Sequence, residues 1–344
     1  MKKDYNQLSF TDSQFSNRKK KSKIIVKLQE IGNFVNWNRI LKEVEVIDKS
    51  GSSRGGRPRK PLEWMVKMLF IQNLYNLSDP ELEEQMIDRL SFQEFVGINF
   101  NNEIPDFTTL WRFKESLIEH KILDKIFDLI LEQLDGEGLI LKRGTIVDAT
   151  IIKSKNRPMR NTKREELEKL KTEGKKVSSQ LDTDAKSTEK NGKKYYGYKG
   201  HIGVDDGSKI IRRRTFSSAG VHDSQPEDEL YSGDELYKFG DKAYSNTEKK
   251  KKARSSGVFY GILDKAKRNH PLSNRQKKRN KQYSKVRAKV EHPLAFIKSK
   301  LKYRIAMATN LARNKLKFDM CVILYNINRG IFLMKQKVKS MCYA

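Results

Sequence analysis

The chain has 344 residues, 71 of them Lys or Arg and 43 Asp or Glu, for a formal net charge of +28. Self-repulsion of that size opposes a compact state unless a polyanion neutralises it, which points to nucleic acid and away from a purely structural role. No apolar run approaches the ~18 residues of a spanning helix, the N-terminal MKKDYNQLSF lacks a secretory apolar stretch, and two cysteines cannot make a disulfide scaffold.

Residues 1–23 read as a basic arm ending in Arg18-Lys19-Lys20-Lys21. Ile25, Leu28, Ile31, Phe34 and Val35 recur at helical spacing, giving one or two helices over 24–48. The stretch 50–61, SGSSRGGRPRKP, is a linker or loop. Its Arg57, Arg59 and Lys60 suit either a solvated basic loop or an extended segment in a narrow minor groove. Residues 62–135 read as all-helical. Trp64, Met65, Met68, Leu69 and Ile71 mark one apolar face, and Ser78-Asp79-Pro80-Glu81 is a capping box with proline just inside the next helix. A cap at Asp106 or Thr108 opens a helix carrying Leu110, Trp111, Phe113 and Leu117, with the Trp and Phe residues of this region taken as core. The pattern fits a helix-turn-helix-like module whose Thr108, Thr109 and Arg112 contact DNA, or a plain helical packing domain.

From about residue 138 the texture changes. The β-branched run Gly144 to Ile152 predicts a buried strand, and Tyr195–Val204 and Ile210–Phe216 predict two more around the turn Asp205-Asp206-Gly207. The polar segment 154–193 reads as a surface helix at 163–171 followed by a loop. Leu236–Gly240 and Val258–Leu263 predict short strands, and 283–335 is helical again.

Acidic residues inside apolar strands of so basic a chain call for an explanation. Asp148 follows Thr145-Ile146-Val147, where a charge is costly unless compensated. Asp241 ends the strand Tyr237 to Gly240, at the carboxyl end where α/β sheets bind ligands. Between Lys265 and Lys317 there are eighteen Lys or Arg and a single acid, Glu291. Arg287, Glu291 and Lys298 fall at offsets that share one helical face, with the helix kinked or started at Pro293. Each carboxylate has a plain alternative, an exposed strand end or an ion pair. Together they suit two magnesium ions, which take oxygen ligands and support in-line displacement at phosphorus. His201 and His222 are read as structural hydrogen-bonders before ligands or bases. Asp184, Asp205 and Asp223 are weaker stand-ins for a ligand. The runs Arg212-Arg213-Arg214, Lys249 to Lys252 and Lys277-Lys278-Arg279 are solvated faces or phosphate tracks.

Asp148, Asp241 and Glu291, separated by 93 and 50 residues, lie in Val147-Asp148-Ala149-Thr150, Asp241-Lys242-Ala243-Tyr244 and Val290-Glu291-His292-Pro293. With Tyr196-Gly197-Tyr198-Lys199-Gly200-His201-Ile202-Gly203-Val204-Asp205 and Val221-His222-Asp223-Ser224, these strings resemble the DDE transposases of bacterial insertion sequences, and among them the insertion-sequence five group. The resemblance runs over residues 55–330. That family's last motif is Tyr, two residues, Arg, three residues, Glu, six residues, Lys. Arg287, Glu291 and Lys298 fit it, while Ser284 stands at the tyrosine position with Tyr283 one place early.

The resemblance implies an RNase H-like α/β catalytic domain, a mixed sheet flanked by helices, behind an all-α N-terminal DNA-binding region. Asp148 would lie on its first strand, Asp241 after the fourth and Glu291 on a following helix. The organisation expected is a basic arm, helix and linker at 1–60, a helical DNA-binding region at 61–137, the catalytic domain at 138–335 with its polar insertion at 154–193, and a tail at 336–344. The activity implied is cleavage at transposon ends and 3′-hydroxyl strand transfer into target DNA, with Asp148, Asp241 and Glu291 holding two Mg²⁺, or Mn²⁺ in their place. Arg287 and Lys298 would hold phosphate near the cut, and Arg57, Arg59, Lys60, Thr109 and Arg112 would contact DNA. The partners expected are double-stranded DNA, as terminal inverted repeats and target, and a second protomer, with no membrane and a cytoplasmic, nucleoid-associated setting. A nuclease of the same fold without strand transfer, and a non-catalytic DNA-binding regulator, are the alternatives.

Overall fold

The computed structural model describes residues 22–47, 59–158, 165–166, 169–170, 172–174, 182–190, 192–266 and 270–342. The basic arm to residue 21, Arg57 and most of the expected linker lie outside the described residues. The chain divides into two compact units, Met1–Gln133 with Asn326–Ala344, and Leu134–Tyr325. No helix is long and apolar enough to cross a membrane among the described residues.

The first unit is helical. Ser22 caps α1 (Lys23–Phe34), Asn36 caps α2 (Trp37–Val44), and a 3-10 turn follows at Glu45–Ile47. In α3 (Leu62–Tyr75) every residue from Trp64 to Leu74 except Lys67 is buried, not the single face expected. A helix apolar around its circumference belongs in the middle of a core, and α3 touches α2 and the three helices that follow it. It stops at Asn76, whose left-handed backbone (φ 56°) closes the last turn. The expected capping box opens α4 (Asp79–Asp88): Ser78 N–H donates to Glu81 at 2.7 Å and Glu81 N–H to Ser78 Oγ at 3.3 Å, a cap worth about 1 kcal/mol.

After α5 (Leu90–Val96), Asp106 caps α6 (Phe107–Glu119) by accepting Thr109 N–H at 2.7 Å. Leu110, Phe113 and Leu117 take the buried stripe of α6. Trp111, one residue past Leu110 and so turned about 100° away, is 44% exposed. Phe107 and Phe100 are exposed as well, so the reading of these three aromatics as core is corrected. Helix α7 (Ile122–Gly136) follows.

The second unit is built on β1 (Gly144–Ser154), buried along most of its length as its β-branched run requires. Two strands follow, β2 (Lys186–Lys190) and β3 (Lys193–Asp205), and β3 runs antiparallel to β1 from Thr145↔Asp205 to Lys153↔Gly197. Next, β4 (Ile211–Ser218) is antiparallel to β3. On the other side of β1, β5 (Tyr237–Gly240) is parallel to it. After α8 (Thr247–Ser255) comes β6 (Phe259–Ile262), parallel to β5. Three antiparallel strands and then two parallel ones, in the order β4-β3-β1-β5-β6, make the RNase H-like sheet that was expected.

β2 was not expected. It pairs with the first residues of β3 and extends that hairpin past the end of β1. Asp241 therefore follows the fifth strand of the chain, not the fourth. Of the expected helix at 163–171, the described residues 165–166 and 169–170 are helical.

The C-terminal helical run changes winding along its length. It passes from α9 (Asn274–Arg287) to a 3-10 turn (Ala288–Val290), α10 (Glu291–Ala295) and a π turn (Phe296–Lys300). Pro293 sits in the first turn of α10, where its missing N–H breaks no helical bond, in line with a helix that starts there. A two-residue strand, β7 (Ile305–Ala306), then pairs with the end of β1. The last helix, α11 (Leu311–Cys342), runs past residue 335.

Two glycines of the Tyr196–Asp205 string are explained by close approach. A Cβ at Gly197 (φ 149°) would lie 2.3 Å from the Ile152 carbonyl, and one at Gly200 would lie 2.4 Å from the Phe318 ring of α11.

Candidate active site

Asp148 lies in β1 opposite Ile202 and is 9% exposed. Its Oδ1 accepts the Ala149 N–H at 2.8 Å and its Oδ2 accepts Arg287 Nη2 at 3.0 Å. Burial pushes its carboxyl above the usual range. The charge of Arg287, the Ala149 N–H and Lys190 pull it back, and Asp241 adds to the push. Asp241 follows β5. The parallel register with β1 ends at Ile146↔Phe239, and Asp241 lies near enough for its charge to push up the Asp148 carboxyl, but it does not line the cleft that Asp148 shares with Glu291. Its Oδ1 caps the 3-10 turn Lys242–Tyr244 through the Lys242 N–H at 2.7 Å. Glu291 is the first residue of α10, exposed and without a partner among the described residues.

Asp148, Arg287, Glu291 and Lys298 line one cleft of about 730 Å³. The face shared by Arg287, Glu291 and Lys298 thus survives the 3-10 and π turns between them. The cleft opens at a gap in the sheet. β5 pairs only with Gly144–Ile146 and β7 only with Lys153 and Ser154, so residues 147–152 of β1 have no partner strand on that side among the described residues.

An all-oxygen set of carboxylates suits a hard divalent cation. A buried carboxylate with one cationic partner and a second carboxylate beside it is the electrostatic setting such an ion relieves. Asp148, Asp241 and Glu291 therefore fit a metal by donor type and charge. Among the described residues, however, no three such side chains are close enough to share one ion. Arg287 meanwhile answers the Asp148 charge, and its own Nε is buried without a partner.

In the first unit, Arg59, Lys60, Thr109 and Arg112 line a second cavity of about 470 Å³, together with Glu83, Glu103 and Asp106. Arg59 donates to the Ile47 carbonyl at 2.7 Å and Lys60 pairs with Glu103 at 2.9 Å, so both already have partners within the chain.

The residues ranked lower have structural places. His201 is fully buried, with Nε2 3.2 Å from Ser217 Oγ, and burial lowers its pKa to about 4 against the pull of Asp223. His222 is exposed and its Nδ1 lies 2.7 Å from Ser224 Oγ. Asp223 faces Lys199 Nζ at 2.9 Å. Asp205 accepts the Lys142 and Ser208 N–H groups, each at 2.9 Å, and Asp184 accepts the Leu311 N–H at 2.8 Å. Tyr283 packs edge-on to Phe239 and to the exposed Phe259, a packing contact at the edge of the core.

The basic runs are not uniform tracks. Arg214 is buried against Asp319, Arg212 pairs with Asp234, Lys249 with Glu227, and Arg279 with Asp264. Periodicity cannot reveal this, because the partners come from distant parts of the chain. The cleft also holds cations the sequence did not single out, Lys153, Lys190 and Arg304. Lys190 could not have been found, since β2 is polar on both faces and gives no strand signal.

The sheet order is that of an RNase H-like nucleic-acid enzyme. Residues 140–327 match the family model described as Transposase DDE domain, and residues 13–116 match Transposase domain (DUF772). The chain belongs to the DDE transposase family of insertion sequences, DNA transposases that act as polynucleotidyl transferases. A solved structure described as a cryo-EM structure of a piggyBac transposase synaptic complex with hairpin DNA aligns with 90% of this chain and 74% of its own. Its TM-score of 0.46 and 10% identity are too low to carry residue correspondences.

Proposed function

We propose that this transposase cuts and joins DNA at the cleft beside β1, with Asp148, Asp241 and Glu291 as its catalytic carboxylates. One observation carries the reading: a buried strand carboxylate, Asp148, shares a cleft with Glu291, Arg287 and Lys298, and the charge of Asp241, just past β5, reaches it. The three carboxylates would hold two divalent cations, Mg²⁺ or Mn²⁺. When bound, these supply a Lewis-acid field for the attacking and leaving oxygens of an in-line displacement.

The chain's own groups do the rest. Arg287 holds the Asp148 carboxylate in one orientation. Lys298, half-buried in the cleft, offers its charge to backbone phosphate. In the first step a water oxygen bonds to phosphorus at the transposon end and the 3′ oxygen leaves as a free hydroxyl. The oxygen of that hydroxyl then bonds to a target phosphorus in the same cleft and gives up its proton, while the target strand's own 3′ oxygen leaves and takes one up as a free hydroxyl. Joining two ends in concert calls for two protomers, and the sequence strings favour the insertion-sequence five group. Terminal-repeat recognition falls to the helical unit and the linker, with Arg57, Arg59, Lys60, Thr109 and Arg112 as its contacts, in a bacterial cytoplasm where the DNA is accessible.

The test is a strand-transfer assay with purified protein, a labelled duplex carrying the element's own end and a plasmid target, in Mg²⁺ and in EDTA. Joined products that need Mg²⁺ and disappear in Asp148→Ala, Asp241→Ala and Glu291→Ala, with DNA binding retained, are expected. Cleavage without joining would make the protein a nuclease. Binding without cleavage in Mg²⁺ or Mn²⁺ would remove the catalytic reading altogether.

A further inference from the structure

The hairpin of β2 and β3 projects past the end of β1 into the cleft. Lys190 is the last residue of β2 and pairs with Lys193 across the turn, while Thr188 pairs with Tyr195. Side chains alternate along a strand, so Lys190 and Tyr195 share one face of the hairpin. Both line the cleft, and Lys153, the β1 residue paired with Gly197, lies with its Nζ over the Tyr195 ring at 5.5 Å. From the other wall come Lys298 and Arg304. The Arg304 guanidinium is held in place by the Lys298 carbonyl at 2.9 Å and Ser299 Oγ at 3.2 Å.

Four cations therefore converge on the part of the cleft beyond Asp148. Lys298 registers the crowding: burial lowers its pKa first, Lys190, Arg304 and Lys153 lower it further, and Asp148 only partly offsets them. Among the described residues Lys153, Lys190 and Lys298 form no ion pair. A like-charge group held together in a half-buried groove is costly unless an anion of matching charge enters it.

We propose that the β2–β3 hairpin is a working part of the active site, and that Lys190 and Lys153, with Lys298, form a rail for the sugar-phosphate backbone of the strand being cut. Tyr195 is the apolar wall against which that strand lies. The rail begins near Asp148 and ends about 16 Å along β1 at Lys153, five strand residues on. The polar insertion of 154–193 is then not a spacer between strands, since its last residues carry a phosphate-binding charge. The inference rests on the cleft beside β1 being the catalytic site.

The experiment uses the full chain and a labelled duplex ending in the element's own terminus, with Ca²⁺ in place of Mg²⁺ and KCl varied from about 50 to about 200 mM, the range over which phosphate contacts change affinity strongly. The slope of log affinity against log salt is expected to fall by about 1 for Lys190→Ala, by about 1 for Lys153→Ala, and by about 2 for the pair. Lys339→Ala, an exposed charge near the end of α11, controls for net charge and should leave the slope unchanged. Slopes that stay at the wild-type value in both single variants, while wild-type protein cuts DNA and Asp148→Ala does not, would overturn the rail and leave the catalytic reading standing. Cutting that survives Asp148→Ala would overturn the catalytic site itself. A circular-dichroism melt of Lys190→Ala at the wild-type temperature shows that any slope change reflects contact and not unfolding.

Discussion

Arg214 offers a sharp test of how charge is used in this protein. By sequence it belongs to a basic triplet fit to track phosphate. In the structure its side chain is 6% exposed and donates to Asp319 Oδ1 at 2.7 Å, and Asp319 is itself 3% exposed. Removing one partner of a buried ion pair costs about 3–5 kcal/mol, because the other charge is left buried. Lys315, one helical turn before Asp319 and 2.8 Å from its second oxygen, keeps part of the compensation. Its own side chain is 39% exposed, so that compensation is screened, and the lower end, about 3 kcal/mol, is expected for Arg214→Ala. At ~2–4 °C per kcal/mol for a unit of this size, the melting temperature should fall by about 6–12 °C. Replacing both partners, with Arg214→Met and Asp319→Leu, should recover most of that loss, since no buried charge then remains unpaired. Thermal melts followed by circular dichroism read the stability, and the salt slope of DNA binding reads the function. An Arg214→Ala protein that melts with the wild type and loses about one unit of salt slope would refute the structural role and return Arg214 to the DNA surface.

Three further outcomes follow from the same structure. His201 has a folded pKa of about 4 against 6.5 in the unfolded chain, so between those values the unfolded state binds a proton that the native state refuses. Stability should fall by up to about 3 kcal/mol as pH drops through that window, and urea midpoints for His201→Gln should show a flatter pH dependence. Gly200→Ala places a methyl 2.4 Å from the Phe318 ring and should cost about 1–3 kcal/mol, most of it recovered by adding Phe318→Leu; an unchanged urea midpoint in Gly200→Ala would contradict the close packing of α11 on β3. If the carboxylates hold metal, Mg²⁺ at ten times its dissociation constant should stabilise the protein by about 1.4 kcal/mol, a rise in melting temperature that Asp148→Asn and Asp241→Asn should lose. A rise that persists in both variants would put the bound metal elsewhere.

The sequence alone determined a good deal. The β-branched run of β1, the strand ends at Asp205 and Asp241, and the capping box at Ser78 could be read because each is a local preference written in adjacent residues. The order of Asp148, Asp241 and Glu291 and the strings around them carried the family resemblance. The net charge of +28 pointed to nucleic acid before any fold was considered.

Tertiary structure decided what depends on partners far apart in the chain. It brought the charge of Asp241 within reach of Asp148, and it gave Arg287 to Asp148 across 139 residues. It turned Trp111 outward and Trp64 inward, two residues that hydropathy treats alike. It took Arg212 and Arg214 into ion pairs and left Lys153, Lys190 and Lys298 facing an open cleft. A lysine in a polar run looks the same whether solvent, a carboxylate or DNA waits beside it, because charge acts through space and the sequence records only order along the chain.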